Sequence, residues 1–366
     1  MVKFTKKTPA GQGENPHRAR GLGDSGGLGL RERFRRYIFV DFEEYGIMDG
    51  AEQMAFGKNG CVARRGGDGL TERNRGLLMA VVGAAMWGGS GVAGQYLLQD
   101  CGFTTEWLVV TRLLIAGSLL LLLDLLFYRE DLFSVWRDWR DAKELIAFAL
   151  VGMLAVQYTY FASIKYGNAA AGTVLQYLMP IIIVAYTALS TRKPPKPVEL
   201  LCVGMAVLGT FLLVTHCDLG KLSIPAVAVV WGLLSAVSAA FYTVQPRRMI
   251  RKWRATLVIG WGMLVGGIAL SAVCPPWHFS GRWDGTAALI YVYIIVCGTV
   301  VAFGCYLGSL KYIRPTEASI LGSVEPLTAI LLSVLLLHIP FGLMDALGSA
   351  LILSTVFLLA AAKEEK

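Results

Sequence analysis

The stretch PTEASILGSVEPLTAILLSVLLL, from Pro315 to Leu337, decides how the rest of this chain is interpreted. It is apolar and long enough for a helix to cross a lipid bilayer. Glu325 and Pro326 lie near its middle. A carboxyl group is costly at that depth, and Pro326 has no N–H to donate to the carbonyl group of Gly322. An apolar helix with these two features carries either a defect or a functional site.

An earlier stretch repeats the pattern and favours a site. SIKYGNAAAGTVLQYLMP (Ser163–Pro180) aligns without a gap on SLKYIRPTEASILGSVEP (Ser309–Pro326), at a constant offset of 146 residues. The pairs that agree are Ser163/Ser309, Lys165/Lys311, Tyr166/Tyr312, Leu175/Leu321 and Pro180/Pro326, with Tyr160 opposite Tyr306 just upstream. Their recurrence in register indicates an internal duplication.

The composition predicts an all-α polytopic membrane protein. Of 366 residues, 55% are hydrophobic and 16% are charged, and the mean hydropathy is +0.55. A soluble globular chain carries about a quarter charged residues. The formal charge of +8 would suit nucleic acid, but the basic residues lie in loops, where they orient membrane helices. We therefore expect membrane lipid, and no nucleic acid, as a partner.

The residues that usually carry chemistry form no familiar cofactor pattern. The seven cysteines are scattered without a CxxC pair, and the four histidines are dispersed. A phosphate-binding loop of the GxxxxGK[ST] type does not occur. We therefore expect no metal, no cofactor, no enzymatic activity and no ATP-driven step.

The chain divides into a polar beginning and an apolar remainder. Residues 1–74 are rich in glycine, arginine and acids, which predicts a disordered cytoplasmic extension. Within it, RERFRRYIFV (Arg31–Val40) is an alternative candidate for contact with anionic lipid. Ten apolar segments follow, at residues 75–98, 105–127, 144–163, 169–190, 199–216, 224–245, 255–274, 285–309, 315–337 and 341–362.

Lysine and arginine predict how these helices are oriented. With the N-terminus in the cytoplasm, the inner loops and the C-terminal end hold sixteen basic residues and the outer loops hold three. This bias predicts that both termini are cytoplasmic. The fourth helix and its twin, the ninth, then run in opposite directions, so the duplication is an inverted repeat of five helices. Such repeats are common in secondary transporters, which bind their substrate near mid-membrane.

Four stretches of the chain resemble a known family. They are AAMWGGSGVAGQYLL (Ala84–Leu98), LVVTRLLIAGSLLLL (Leu108–Leu122), the small-residue start of the fourth helix leading to LMP (Leu178–Pro180), and ASILGSVEPLTAILLSVLLL (Ala318–Leu337) leading to DALGSALIL (Asp345–Leu353). In these the chain resembles the EamA type of the drug/metabolite transporter superfamily. The resemblance implies two EamA-like repeats, at residues 75–216 and 224–362, ten helices, and a role in moving small solutes.

Glu325 and Arg112 are the first candidates for binding a substrate or a proton. Burial favours the neutral form of a carboxyl group, so Glu325 is either an exchangeable proton site or a neutral structural hydrogen-bond donor. Arg112 either meets a substrate anion or Glu325, or extends its side chain to the membrane surface. Pro180 and Pro326 are hinge candidates, and simple packing kinks are the alternative.

Polar and aromatic side chains within the apolar segments complete the candidate set. Glutamine and tyrosine are costly against lipid, so some of them should face the interior. The binding candidates among them are Trp87, Gln157, Tyr158, Gln176 and Tyr242.

Transport of a small molecule is therefore the expected function. The favoured form is export of a small metabolite, such as an amino acid, across the plasma membrane by alternating access. A proton gradient acting through Glu325 or plain exchange would drive it. Alternatives are an importer, a nucleotide-sugar or drug transporter of the same superfamily, and a membrane-embedded enzyme or scaffold.

Overall fold

The fold is taken from a computed structural model. It describes residues 68–128, 131–192, 194–218, 222–279 and 281–364. Most of the predicted extension, including the basic segment at residues 31–40, lies outside the described residues.

Ten helices, named α1 to α10 in chain order, make up the described part of the chain. The first five are α1 (Asp68–Gln95, continued by Tyr96–Asp100), α2 (Thr105–Tyr128), α3 (Trp139–Tyr166), α4 (Ala169–Gln176 and Met179–Thr191) and α5 (Pro197–Thr215). The second five are α6 (Ala226–Val244, followed by Arg247–Lys252), α7 (Ala255–Ser271), α8 (Gly285–Ser309), α9 (Pro315–Gly322 and Val324–Leu337) and α10 (Leu343–Glu364). Nine are long and apolar enough to cross a membrane, and α7 is shorter but also apolar. The predicted all-helical class with ten helices is confirmed.

Helix packing has the symmetry of two inverted repeats. Helix α1 packs against α8 and α9, and its counterpart α6 packs against α3 and α4. The helices α2 and α7 pack against each other, as do α5 and α10. At the α5–α10 crossing, a Cβ atom built on Gly209 would lie 2.7 Å from the carbonyl oxygen of Gly348, and one built on Gly348 would lie 2.7 Å from that of Gly209. This reciprocal contact lies where the pseudo-twofold relation requires it.

The two repeats also share their departures from regular helix. Segments of π-helix occur within α3, at Phe148–Leu154, and within α8, at Val296–Val301. The hydrogen-bond ladder of α4 is interrupted between Gln176 and Met179, and that of α9 is interrupted at Ser323. Both interruptions come just before the duplicated prolines, which cannot donate a helical hydrogen bond.

Small residues allow α1 to lie close to its neighbours. A Cβ atom on Gly88 would lie 2.3 Å from the carbonyl oxygen of Glu325, and one on Gly91 would lie 2.3 Å from the hydroxyl of Tyr160. Close backbone approach through glycine is a common way of packing helices in membranes. Helix α1 is therefore in contact with α9 at the candidate acid itself.

One end of the bundle, here called the basic face, carries the α2–α3, α4–α5, α6–α7 and α8–α9 connections. Asp141, at the start of α3, is fully buried there and accepts hydrogen bonds from Lys252 (2.6 Å), from the indole of Trp253 (2.9 Å) and from Arg248. These bonds join the first repeat to the segment that links α6 and α7. The other end of the bundle is called the opposite face.

Candidate functional site

A cavity of about 500 Å³ lies between the two repeats. Every helix except α5 contributes to its lining. It reaches from Arg112 and Tyr160, in the half of the bundle near the opposite face, to Ile250, Ala255 and Leu310 at the basic face. The cavity therefore extends to the basic face and ends about 10 Å short of the opposite face, at a rise of 1.5 Å per helical residue.

Glu325 lies in the wall of this cavity, in the first turn of the second half of α9. Its Oε2 atom is 3.2 Å from the hydroxyl of Tyr177 on α4. The same hydroxyl lies 2.7 Å from the carbonyl oxygen of Gly322, which is the carbonyl that Pro326 deprives of a helical partner. One tyrosine thus connects the break in α4 with the acid and the break in α9.

Arg112 is buried, with 5% of its surface exposed, so the alternative in which it extends to the membrane surface is wrong. Its Nε atom donates to the hydroxyl of Thr299 at 3.0 Å, and its Nη2 atom donates to the carbonyl of Gly298 at 3.2 Å. Its guanidinium also lies over the ring of Phe161, 5.2 Å from the centroid. Arg112 lines the cavity while binding the π-helical segment of α8.

Aromatic rings form much of the remaining wall. Trp87 packs against Phe303 and Tyr306, each with ring centroids 5.0 Å apart. Tyr242 stacks on Phe148 at 5.4 Å. These rings give the cavity an apolar surface with a few polar groups, which is the usual character of a small-molecule site.

One side of α3 supplies a stripe of cavity residues. Met153, Val156, Gln157 and Tyr160 line the cavity, at the spacing that places residues on one helical face. The amide of Gln157 makes no hydrogen bond to another described residue, so it is available to a ligand. Tyr158 does not line the cavity, because it points elsewhere and donates to the Oε1 atom of Glu106 at 2.7 Å.

The residues around the break in α4 also face the cavity. Gln176 lines it and donates through its amide to the hydroxyl of Ser235 on α6, at 2.7 Å. Pro180 lines it as well, whereas Pro326 is buried beside Glu325 and lies outside the lining. Both prolines follow the helix breaks, as hinges or packing kinks would, and the hinge role stays a prediction.

The main cavity residues left out of the binding candidates are tyrosines, although the sequence marks Tyr160 and Tyr306 as an aligned pair. Tyr177 makes the contacts described above, and Tyr160 and Tyr306 line the cavity as an equivalent pair. The hydroxyl of Tyr160 bonds that of Thr173 at 2.8 Å, and the hydroxyl of Tyr306 donates to the carbonyl of Ala318 at 3.1 Å. The offset of 146 residues between Tyr160 and Tyr306 was the sequence signal that could have identified them as a functional pair.

A second cavity lies at the opposite face. It measures about 650 Å³ and is lined by the ends of α3 and α5, the starts of α4 and α10, and the adjoining loops, including the α9–α10 loop. The Nε2 atom of His216 lies there 2.8 Å from the Oδ1 atom of Asp345 and 3.0 Å from the hydroxyl of Ser223. This pocket is lined by helix ends rather than by the central parts of both repeats, so we place the candidate site in the central cavity.

The charge of the central cavity limits what it can bind. Among the described lining residues, Glu325 is the one acid and Arg112 the one base. The guanidinium of Arg112 already binds α8, while the Oε1 atom of Glu325 has no hydrogen-bond partner among the described residues. The site can therefore bind a proton or a cationic group at Glu325, with aromatic surface for an apolar substituent.

Comparison with known proteins agrees with this architecture. The model of the EamA-like transporter family matches residues 74–215 and 226–361. The chain is 40% identical over 286 residues to the "Uncharacterized inner membrane transporter YicL" of Salmonella typhimurium, covering 78% of this chain and 95% of that protein. It is 26% identical to the "Uncharacterized transporter YwfM" of Bacillus subtilis, covering 79% and 95%.

A solved crystal structure shares the fold. It superposes with a TM-score of 0.53 at 20% sequence identity, over 78% of this chain and 97% of the other. The family match spans most of the chain, and the relative that is 40% identical is covered almost completely. The chain therefore belongs to the EamA-like transporter family and is a multi-pass membrane transporter.

Proposed function

We propose that this protein is a secondary transporter that exports a small organic metabolite, such as an amino acid, by alternating access. The observation that carries the proposal is the central cavity, which lies between two inverted repeats and extends to one face only. Exchanging the conformations of two related repeats would close that face and open the other.

The chemistry of the cavity favours an amine-bearing metabolite over a nucleotide sugar. A diphosphate needs several cationic or N–H donors, and Arg112 is the one basic side chain among the described lining residues. A protonated amine has Glu325 as its counter-charge, and aromatic faces such as that of Trp87 also attract cations. A volume of about 500 Å³ is within the ordinary range for small-molecule sites.

The basic face supports one orientation of the protein in the membrane. Arg140, Arg248, Lys252 and Arg314 lie at this end of the bundle, and basic residues in short loops stay on the cytoplasmic side. We therefore assign the basic face, with both chain termini, to the cytoplasm of a cell whose plasma membrane holds the protein. The cavity then extends to the cytoplasm in this conformation, where an exporter collects its substrate.

Glu325 is the proposed site of energy coupling. A carboxyl group that binds either a proton or a substrate amine, but not both, makes the two exchange across the membrane. Proton entry would then drive substrate exit. Direct exchange of two substrates at the same carboxyl group is the remaining form of this mechanism.

The test compares the culture medium of four strains by untargeted metabolite analysis. One lacks the protein, and the others produce the wild type, Glu325→Gln or Glu199→Gln. Glu199 is the matched control because it caps the start of α5, the helix that contributes nothing to the cavity lining. We expect one metabolite to accumulate with the wild type and with Glu199→Gln, and not with Glu325→Gln.

Two results would contradict the proposal. Equal accumulation with Glu325→Gln, at every external pH, removes Glu325 from coupling and leaves it a structural group. Identical media from all four strains, with the protein present in the membrane, refute export and favour an importer or a membrane enzyme.

A further inference from the structure

The contact between the two helix breaks contains more acceptors than hydrogens. Tyr177 presents one hydroxyl hydrogen. Two acceptors lie within its reach, the carbonyl oxygen of Gly322 at 2.7 Å and the Oε2 atom of Glu325 at 3.2 Å. At any instant the hydroxyl can donate a full hydrogen bond to only one of these two acceptors.

The charge of Glu325 decides which of the two acceptors receives the hydrogen bond from Tyr177. An ionised carboxylate is an acceptor only and a strong one, so it competes with the carbonyl of Gly322 for the hydroxyl hydrogen. A protonated Glu325 can instead donate to the oxygen of Tyr177, which leaves the tyrosine hydrogen for Gly322. The protonated state thus forms an unbroken chain of two hydrogen bonds, and the ionised state leaves one buried acceptor poorly satisfied, at a cost.

We propose that Tyr177 is the coupling residue of this transporter. Its hydrogen bond to Gly322 holds the break in α9 against α4 (the fastened state) when Glu325 is protonated, and this bond is lost when Glu325 is ionised. The proposal rests on the transport function proposed above. Because α4 belongs to the first repeat and α9 to the second, the bond between Tyr177 and Gly322 joins the two parts that alternating access must move. The short distance to Gly322 assigns the present conformation to the fastened state.

The surroundings leave Glu325 as the group that exchanges the proton. The ionisable side chains that face it are Arg112 from α2, Tyr160 from α3, Tyr177 from α4 and Tyr306 from α8. Helix α1 faces it with the backbone of Gly88. Arginine and tyrosine keep their protons through the physiological range, so a change of pH acts on this cluster through the carboxyl group.

The test measures exposure of the cavity to the opposite face as a function of pH. A cysteine is placed at Val156, a partly exposed residue of the cavity wall well inside α3, in a chain whose seven native cysteines are replaced by alanine. Intact cells are labelled with a membrane-impermeant maleimide. Labelling is compared in the presence of Tyr177, Tyr177→Phe, Glu325→Gln and the control Tyr158→Phe, which removes a hydroxyl outside the cavity.

The expected pH dependence follows from the proton count. With Tyr177 intact, labelling should rise with pH, by at most about tenfold per unit because one proton is involved. Tyr158→Phe should keep this rise. Tyr177→Phe should remove it and give the same labelling at every pH, while Glu325→Gln, which mimics the protonated form, should stay at the low-pH level of the wild type.

Two outcomes overturn the proposal, and they are distinguishable from failure of the transport function. If Tyr177→Phe keeps the wild-type pH profile, or if Glu325→Gln still responds to pH, Tyr177 does not couple the two groups. If labelling from outside is absent at every pH even with Tyr177 intact, the cavity does not alternate, and the proposed function fails with it. Gel filtration of each variant in detergent confirms that a lost response is not a lost fold.

Discussion

Replacing Gly88 by alanine should disturb the contact between α1 and α9 at the candidate acid. The new Cβ atom would lie 2.3 Å from the carbonyl oxygen of Glu325, 2.9 Å from the Cβ atom of Thr328 and 3.0 Å from the nitrogen of Ala329. Carbon atoms pack best at about 3.5–4.0 Å, so the two helices must separate by about 1 Å. Two of these three neighbours are backbone atoms, which cannot turn aside.

The change in the free energy of unfolding follows from two opposing effects. Overpacking costs about 1–3 kcal/mol, and glycine to alanine in a helix gains about 1 kcal/mol. The matched control is Gly204→Ala on α5, where a Cβ atom meets nothing within 4 Å. This variant should therefore show only the favourable effect of alanine on helix stability. The two variants should therefore differ in their free energies of unfolding by about 1–3 kcal/mol.

Thermal unfolding of the purified protein in detergent measures this difference. At about 2 °C per kcal/mol for a chain of this size, Gly88→Ala should unfold about 2–6 °C below Gly204→Ala. It should also transport more slowly, because the shift occurs at Glu325. Equal melting temperatures for the two variants would refute the close approach of α1 to α9.

Three further substitutions test the polar contacts. Asp124→Asn should lower the free energy of unfolding by about 3 kcal/mol, because the fully buried Asp124 binds Arg254 at 2.7 Å and breaking a buried pair is costly. Asp131→Asn, at an exposed pair with Arg137, should cost less than about 1 kcal/mol. Equal effects of the two aspartate variants in a thermal melt would contradict the difference between a buried and an exposed pair. Arg112→Lys should lower the melting temperature and slow transport, since an ammonium group cannot reproduce the two bonds from one planar guanidinium. A lysine variant with wild-type stability and transport would contradict this role of Arg112.

The main features of the fold follow from patterns that the sequence displays directly. The lengths of the apolar segments predicted the ten helices, and the constant offset of 146 residues between two aligned stretches predicted the repeat. Pro180 and Pro326 marked both helix breaks, because a missing N–H interrupts a helix in any surroundings. The π-helical segments of α3 and α8 went unpredicted, since nothing in their apolar sequences FALVGML and VCGTVV differs from ordinary helix.

The candidate site was predicted less completely, because membrane helices are apolar on every side. Tyr158 and Tyr160 are equally plausible from sequence, yet two residues along a helix is more than half a turn, so they face different ways. Only Tyr160 lines the cavity. The same limit applies to Tyr177, whose importance depends on where α9 packs relative to α4, and that relation is a property of the tertiary fold.

Whether one cavity opens alternately to both sides of the membrane can be measured with a cysteine at Val156, a cavity residue well inside α3. An impermeant maleimide is applied to intact cells and, separately, to inverted membrane vesicles, with Gly204→Cys as the control on the exposed surface of α5. Val156→Cys should react from both sides, and Gly204→Cys, against lipid, should react from neither. Reaction of Val156→Cys from the vesicle side alone, at every pH, would rule out alternating access.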